Sequence, residues 1–300
     1  MSAKLIDGRA VASQIQGELV PRIEALKRAG VTPKIVFVRV GDDPASIVYV
    51  GRKEKAATSL GILSETRVLP ADTLIEELLG ILRSLNEDPS VHGILVQLPL
   101  PRHLDARVIS RAISPCKDVD GFHPENMGKL LLGDPDGFRP CTPAGIIELL
   151  LRYGVDTSGA DVVILGRGNL VGKPLAAMLC QKARGANATV TVCHTATRDI
   201  IQHCRRADIL IAAMGVPRFV KCEMVKPGAI VIDVGVNRIP DPNAPAGTRL
   251  VGDVDFESVA EVASMITPNP GGVGPMTVAM LMQNTVLAAE RFAGIGGDGR

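Results

Sequence analysis

Six short apolar runs constrain this chain more than any other feature: "KIVFVRV" (34–40), "GILVQLPL" (93–100), "DVVILG" (161–166), "ATVTVCH" (188–194), "ADILIAAMG" (207–215) and "AIVIDVGV" (229–236). They are rich in valine and isoleucine and mostly lack strict polar alternation, as strands covered on both faces do. Between them lie segments of helical length, such as "TLIEELLGILRSLNED" (73–88) and "KPLAAMLCQKAR" (173–184). Strand alternating with helix implies parallel sheets joined by right-handed crossovers, the α/β class. The chain's 300 residues suffice for one large domain or two ordinary ones. "GDPDGFRPCTPAG" holds three prolines and three glycines and sets a boundary between 135 and 145. A strand-turn-helix series restarts at Asp161, and a second glycine-rich stretch, "TPNPGGVGPMT" (267–277), precedes a last helix of about twenty residues that could return to the first domain. The terminal "GIGGDGR" alone reads as unstructured.

Composition removes several classes of function. A formal net charge of +1 makes no case for nucleic acid or an anionic membrane. Aromatics at 3% leave few stacking platforms for single-stranded bases. The six cysteines are scattered without a C-x-x-C pair or a nearby histidine cluster, which predicts reduced thiols and no metal site. No run approaches the roughly 18 to 20 apolar residues that span a bilayer, and the N-terminus lacks the shape of a signal peptide. The expectation is a soluble, cytoplasmic protein with no membrane or nucleic-acid partner.

Four local signals carry chemistry. "VVILGRGNLVGKP" (162–174) runs from an apolar strand through Gly166, Gly168 and Gly172 into a helix, the setting of a dinucleotide-binding turn. Its G-x-G-x-x-x-G spacing is looser than the usual fingerprint and fits an ordinary βα turn as well. The next strand ends in His194, Thr195, Ala196 and Thr197, with no carboxylate for a ribose 2′-hydroxyl, and Arg167 is available to a 2′-phosphate. That favours NADP over NAD, although Arg167 also reads as a plain surface arginine. In "GDDPASIVYVGRKEKAATSLG", Asp43 before Pro44 starts a helix and Gly61 ends it. Tyr49 and Lys53 then share a face near the carboxyl edge of the sheet, where ligands bind, or else form a solvated flank. Gln97, a polar residue at the end of an apolar strand, caps local backbone or faces a cleft. Asp118 and Asp120 flank a glycine turn in "KDVDGFHPENMGKL" and read as turn or cap residues, and His123 as structural.

Taken in order, "DDPASIVYVGRK", "VQLPLP", "KDVDGFHPENMGKL", "PCTPAGI", "GRGNLVGKP", "DVGVN" and "TPNPGGVGPMT" resemble the bifunctional methylenetetrahydrofolate dehydrogenase/cyclohydrolase family, from Leu5 to about Ala293. The resemblance implies two α/β domains with a folate cleft between them. Residues 1–140 would form the catalytic folate domain, with 279–300 packing back on it, and 141–278 a Rossmann-like NADP domain. It implies NADP-dependent oxidation of 5,10-methylene-tetrahydrofolate to the methenyl form, then hydrolysis to 10-formyl-tetrahydrofolate, within one-carbon metabolism and purine biosynthesis. It also implies a homodimer pairing through the nucleotide domains.

By matching position, Lys53 resembles the lysine of cyclohydrolase proton transfer, Tyr49 the ring that stacks on folate, Gln97 the glutamine that tunes the lysine, and Asp120, rather than Asp118, the pterin-binding aspartate. Val96 and Leu98 flank Gln97 on the folate side. Pro270, Gly271, Gly272, Val273 and Gly274 resemble the loop that closes over substrate. Gly166, Arg167, Gly168, Thr195 and Val236 fall where the family contacts NADP. The chain departs from the family in having Gly168 for a common serine, Thr195 for serine, Asn269 for a frequent valine, and a longer "QKARGANAT" segment. A short-chain dehydrogenase shares Y-x-x-x-K, but there the glycine loop comes first. Two further rivals are the same fold with dehydrogenase activity alone and a non-catalytic nucleotide-binding module. The Lys53–Gln97 pair speaks against the former, and the retained polar residues against the latter.

Overall fold

A computed structural model describes residues 2–242 and 247–295, so most of the terminal "GIGGDGR" lies outside the described residues. In chain order the elements are β1 (Lys4–Leu5), α1 (Gly8–Arg28), β2 (Lys34–Val40), α2 (Pro44–Leu60), β3 (Leu63–Leu69), α3 (Ile75–Glu87), β4 (Gly93–Val96), α4 (Ala106–Ala112), α5 (Pro124–Leu132) and α6 (Cys141–Arg152). Next come β5 (Asp161–Leu165), α7 (Gly172–Leu179), β6 (Thr189–Cys193), α8 (Ile200–Arg206), β7 (Ile209–Ala212), β8 (Ile230–Asp233), β9 (Asn237–Pro240), β10 (Thr248–Val251), α9 (Phe256–Ala260), β11 (Met265–Ile266) and α10 (Val273–Phe292). The chain forms two compact units. One comprises residues up to Ala12 with Thr142–Thr277, the other Ser13–Cys141 with the chain from Val278 onward.

The Ser13–Cys141 unit is built on a parallel sheet of order β3-β2-β4. Its central strand, β2, is apolar along its length because both neighbours and both faces cover it; Ile35, Val36, Phe37 and Val38 are fully buried. Leu78, Leu82 and Leu85 line one side of α3 at helical spacing and pack with Val36, Val38 and Val40. β3, "LSETRVL", has no apolar signature because it is an edge strand held by backbone pairing with β2 at all seven positions. The last helix joins this unit through side chains. Asn284 donates to the carbonyls of Val119 (2.8 Å) and Arg139 (3.1 Å), and Glu290 receives a two-pronged bond from Arg22 at 2.7 and 2.8 Å.

The other unit carries a six-stranded parallel sheet of order β1-β11-β8-β7-β5-β6, with β9 and β10 as a separate antiparallel hairpin. Val163, Leu165, Leu210, Ala212, Val231 and Ile266 form part of its core. Residues 2–12 belong here rather than with 13–140, because Lys4 and Leu5 pair with Met265 and Ile266. A two-residue strand is too short to leave a periodic signal.

Two further expectations change. The helix expected over 173–184 stops at Leu179: the chain then turns back, with Asn187 N–H bonding the Gln181 carbonyl at 2.7 Å and Ala188 N–H that of Leu179 at 2.9 Å. The run 93–100 is strand only to Val96, since Pro99 and Pro101 offer no N–H to a ladder. Among the described residues, no helix is long and apolar enough to cross a membrane.

Candidate active site

α2 starts and stops as its sequence dictates. The Asp43 carboxylate accepts from Ser46 N–H at 2.7 Å, Pro44 opens the first turn, and Gly61 closes the helix at φ 71°. Tyr49 and Lys53, four residues apart, therefore lie on one side of it, both half-buried. From the adjoining strand β4 the chain runs on to Gln97, whose N–H bonds the Val38 carbonyl at 2.8 Å. The Gln97 side chain both caps backbone and meets the lysine. Its Nε2 donates to the Leu98 carbonyl at 2.6 Å, which leaves Oε1 to accept from Lys53 Nζ at 3.0 Å. The amide's orientation is thus set by two bonds of opposite sense.

Burial pulls the Lys53 amine below its ordinary pKa, while the charge of Asp120 and the thiol of Cys141 push the other way. Asp120 shows the converse: burial raises its carboxyl, while Lys53 and a bond from Cys141 lower it. Cys141, at the start of α6, is fully buried, donates to the Val119 carbonyl at 3.4 Å, and has its thiol pushed well above the ordinary value by burial first and by Asp120 second. Gly121 allows this approach. At φ 81° its backbone lies so close to Arg139 and Pro140 that a Cβ would sit 2.7 Å from each. Sequence reasoning missed Cys141 as a member of the cluster, although "PCTPAGI" held it in plain view.

Asp118 has a different role from Asp120. It is 3% exposed, accepts from His123 N–H at 2.7 Å and from Asn126 Nδ2 at 2.8 Å, and burial pushes its carboxyl up to about 6. It binds the loop together. His123 is structural as expected: its Nδ1 accepts from Glu125 N–H at 3.1 Å and caps α5. Val96 ends β4 half-buried, and Leu98 is 38% exposed.

In the other unit the glycine turn between β5 and α7 is required by contact at two of its three glycines. Gly166 has φ 117°, and a Cβ there would lie 2.2 Å from the Ala213 carbonyl oxygen. A Cβ on Gly172 would lie 2.1 Å from the Gly166 carbonyl oxygen, which seats the helix against the strand. Gly168 is open, with nothing within 4 Å of the corresponding position. The cradle so formed presents backbone, the α7 N-terminus and an exposed Arg167 at the carboxyl edge of the sheet, and fits a bound pyrophosphate. At the end of β6, Thr197 Oγ1 accepts from His194 N–H at 2.8 Å, which shapes a turn that leaves Thr195 exposed. Val236, 54% exposed, follows β8 at the same edge. The expected substrate loop, 270–274, is shorter than expected: Val273 and Gly274 form the first turn of α10. Gly272 packs against backbone, such that a Cβ on Gly8 would fall 1.8 Å from its carbonyl oxygen.

Known proteins match this architecture along almost its whole length. Residues 6–120 match the model of the tetrahydrofolate dehydrogenase/cyclohydrolase catalytic domain, and 140–293 that of the NAD(P)-binding domain. The chain is 55% identical over 289 residues to the bifunctional protein FolD of Prosthecochloris aestuarii, covering 96% of this chain and 98% of that one. A crystal structure of the bifunctional enzyme FolD from Campylobacter jejuni superposes with a TM-score of 0.91 at 47% identity, over 97% of this chain and 99% of that one. The Trypanosoma brucei dehydrogenase-cyclohydrolase, solved with NADP and an inhibitor, superposes with a TM-score of 0.91 at 42% identity, over 97% and 98% of the two chains.

Proposed function

The chain belongs to the tetrahydrofolate dehydrogenase/cyclohydrolase family, and from that premise we propose how its own residues carry the family's two reactions. It oxidises 5,10-methylene-tetrahydrofolate with NADP and hydrolyses the methenyl product to 10-formyl-tetrahydrofolate. The single observation that carries the residue assignments is the desolvated Lys53–Gln97 pair beside Asp120.

Hydrolysis needs a group that both takes and returns a proton. Water adds to the methenyl carbon and loses a proton to give a neutral hydroxyl adduct. The adduct's hydroxyl then loses its proton as the carbon–N5 bond breaks and N5 gains one, so that one proton is released overall. A free lysine, with a pKa of about 10.4, is almost wholly protonated at neutral pH and is a poor base. Burial lowers the Lys53 pKa and makes the neutral amine accessible, while Gln97 Oε1 aims it. Asp120 keeps part of the protonated form available, so the amine can act in both directions. Asp120 also offers two acceptor oxygens to the paired N–H groups of the pterin edge, and Tyr49 a ring face on the same side of α2 as the lysine. Val96 and Leu98 flank Gln97 on the substrate side, and Pro270 to Gly274 lie against the folate.

Oxidation asks less of the side chains. Bound NADP supplies the hydride acceptor, and the protein's part is to hold and orient. Gly166 and Gly168 let backbone approach the pyrophosphate, the guanidinium of Arg167 meets the 2′-phosphate, Thr195 offers a hydroxyl, and Val236 contacts the dinucleotide from the β8 loop. We further propose a cytoplasmic homodimer that pairs through its nucleotide-binding units, with no nucleic-acid partner, and a supply role toward purine biosynthesis.

Two measurements test the assignments. Lys53→Gln should reduce methenyl hydrolysis by at least about a thousandfold, the loss expected when the proton-transferring group is removed. Hydrolysis at the wild-type rate would remove Lys53 from its role. Arg167→Ala should weaken NADP about tenfold or more, the scale of one charge-assisted contact, while NAD changes little. An equal loss for both cofactors would refute the 2′-phosphate contact.

A further inference from the structure

Three adjacent strands of the six-stranded sheet, β7, β8 and β11, end at the same edge, and the loops that follow them are joined by side chains. Asp253, fully buried, accepts from the N–H groups of Met214 (2.7 Å) and Gly215 (2.9 Å) after β7, and from Asn237 Nδ2 (2.8 Å) after β8. Asp233 accepts from Gly235 N–H at 3.0 Å and Asp253 N–H at 2.9 Å. Gly235 has no room for a side chain, since a Cβ would sit 2.2 Å from Asp253 Oδ1. Its N–H is held by Asp233, and its carbonyl accepts from Asn269 Nδ2 in the loop after β11. At the base of that loop the Thr267 hydroxyl oxygen accepts from Asp233 N–H at 2.7 Å. The turn beyond it is itself closed by a bond from Gly272 N–H to the Pro268 carbonyl at 2.8 Å.

We propose that Asn269 is a positioning residue that couples folate binding to NADP binding, by tying the turn at Pro270–Gly272 to the loop that carries Val236. The inference rests on the functional reading above, in which the first loop meets folate and the second NADP. Gly235 is buried, so a displacement of its neighbour Val236 cannot be absorbed locally: its N–H and its carbonyl are both engaged, and its Cα is crowded by a carboxylate. The Asn269 amide is the link at the tip of the two loops, and a side chain without a donor cannot replace it. A contact that each ligand tightens by seating its own loop contributes a coupling free energy, reciprocal between the two sites.

The test uses the full-length enzyme and tetrahydrofolate, which lacks the one-carbon bridge and is not turned over. The dissociation constant of NADP is measured with and without saturating tetrahydrofolate. In the wild type the ratio should be about threefold to tenfold, the range of one hydrogen bond. In Asn269→Val it should fall below about twofold, and Asn269→Ala gives the same reading should the branched side chain impair folding. A wild-type ratio near one overturns the proposal. So does a ratio retained in the variants, including the case in which both affinities or the thermal stability fall while the ratio stands, which marks a merely structural role. A wild type that fails to oxidise methylene-tetrahydrofolate with NADP would instead overturn the functional reading itself.

Discussion

The lysine centre and the glycine cradle solve opposite problems with opposite materials. Around Lys53 the arrangement relies on side chains partly or wholly removed from water: an amine, a carboxyl and a thiol that shift one another, with an amide bonded to the amine. Around Gly166 the work is done by the absence of side chains, with backbone packed so tightly that a methyl group cannot be added. Proton transfer needs groups whose charge can change, and holding a pyrophosphate needs backbone that can come close. The two regions should therefore fail in different ways when altered.

The largest effect should come from adding one carbon to the cradle. Gly166→Ala forces an L side chain into φ 117° and against the Ala213 carbonyl. The cost should be about 3 kcal/mol or more, read as a lower melting temperature and a dehydrogenase rate that falls further than the hydrolase rate. A variant with unchanged NADP affinity would show that the turn has slack. An intermediate effect is expected from Asp120→Asn, which keeps the shape and removes the charge. Asp120 raises the Lys53 pKa, so without its charge the amine loses its proton at lower pH. The limb of the hydrolysis–pH profile that belongs to Lys53 should move toward acid, and folate affinity should fall in both reactions by about tenfold, the loss of a charge-assisted contact. A limb that stays in place would separate the two groups. The smallest effect should come from Gly168→Ser, where the added atoms meet open space. Stability should stay within about 0.5 kcal/mol, and NADP should bind as well or a few-fold better through a new hydroxyl. A clash-sized loss there would mean the cradle is closed at all three glycines.

The same contrast explains what the sequence disclosed. Asp43, Pro44 and Gly61 bounded α2 because capping is local chemistry, and β2, β5 and β8 were visible because burial on both faces demands apolar runs. Gly166 and Gly172 were legible for a related reason, since a strand-turn-helix junction leaves no other residue type possible. β3 and the β9–β10 hairpin were not, because pairing through backbone imposes little on side chains at an edge. Gln97 stood out as polar in an apolar strand, but that it faces Lys53 depends on two strands and a helix at once. Asp118 and Asp120 could be told apart only by resemblance: two residues separate a carboxyl bound by His123 and Asn126 from one facing an amine. Cys141 and Asn269 act through distant backbone, at Val119 and Gly235, and no spacing rule reaches that far.

The bonds from Asn284 to Val119 and Arg139, and from Arg22 to Glu290 across 268 positions, set an order of assembly. On the ribosome the Ser13–Cys141 segment lacks its closing helix until α10 has been made, whereas Thr142–Thr277 has all its strands, β1 included, before that helix has fully emerged. The unit that bears Lys53 is therefore begun before the Thr142–Thr277 sheet and closed after it.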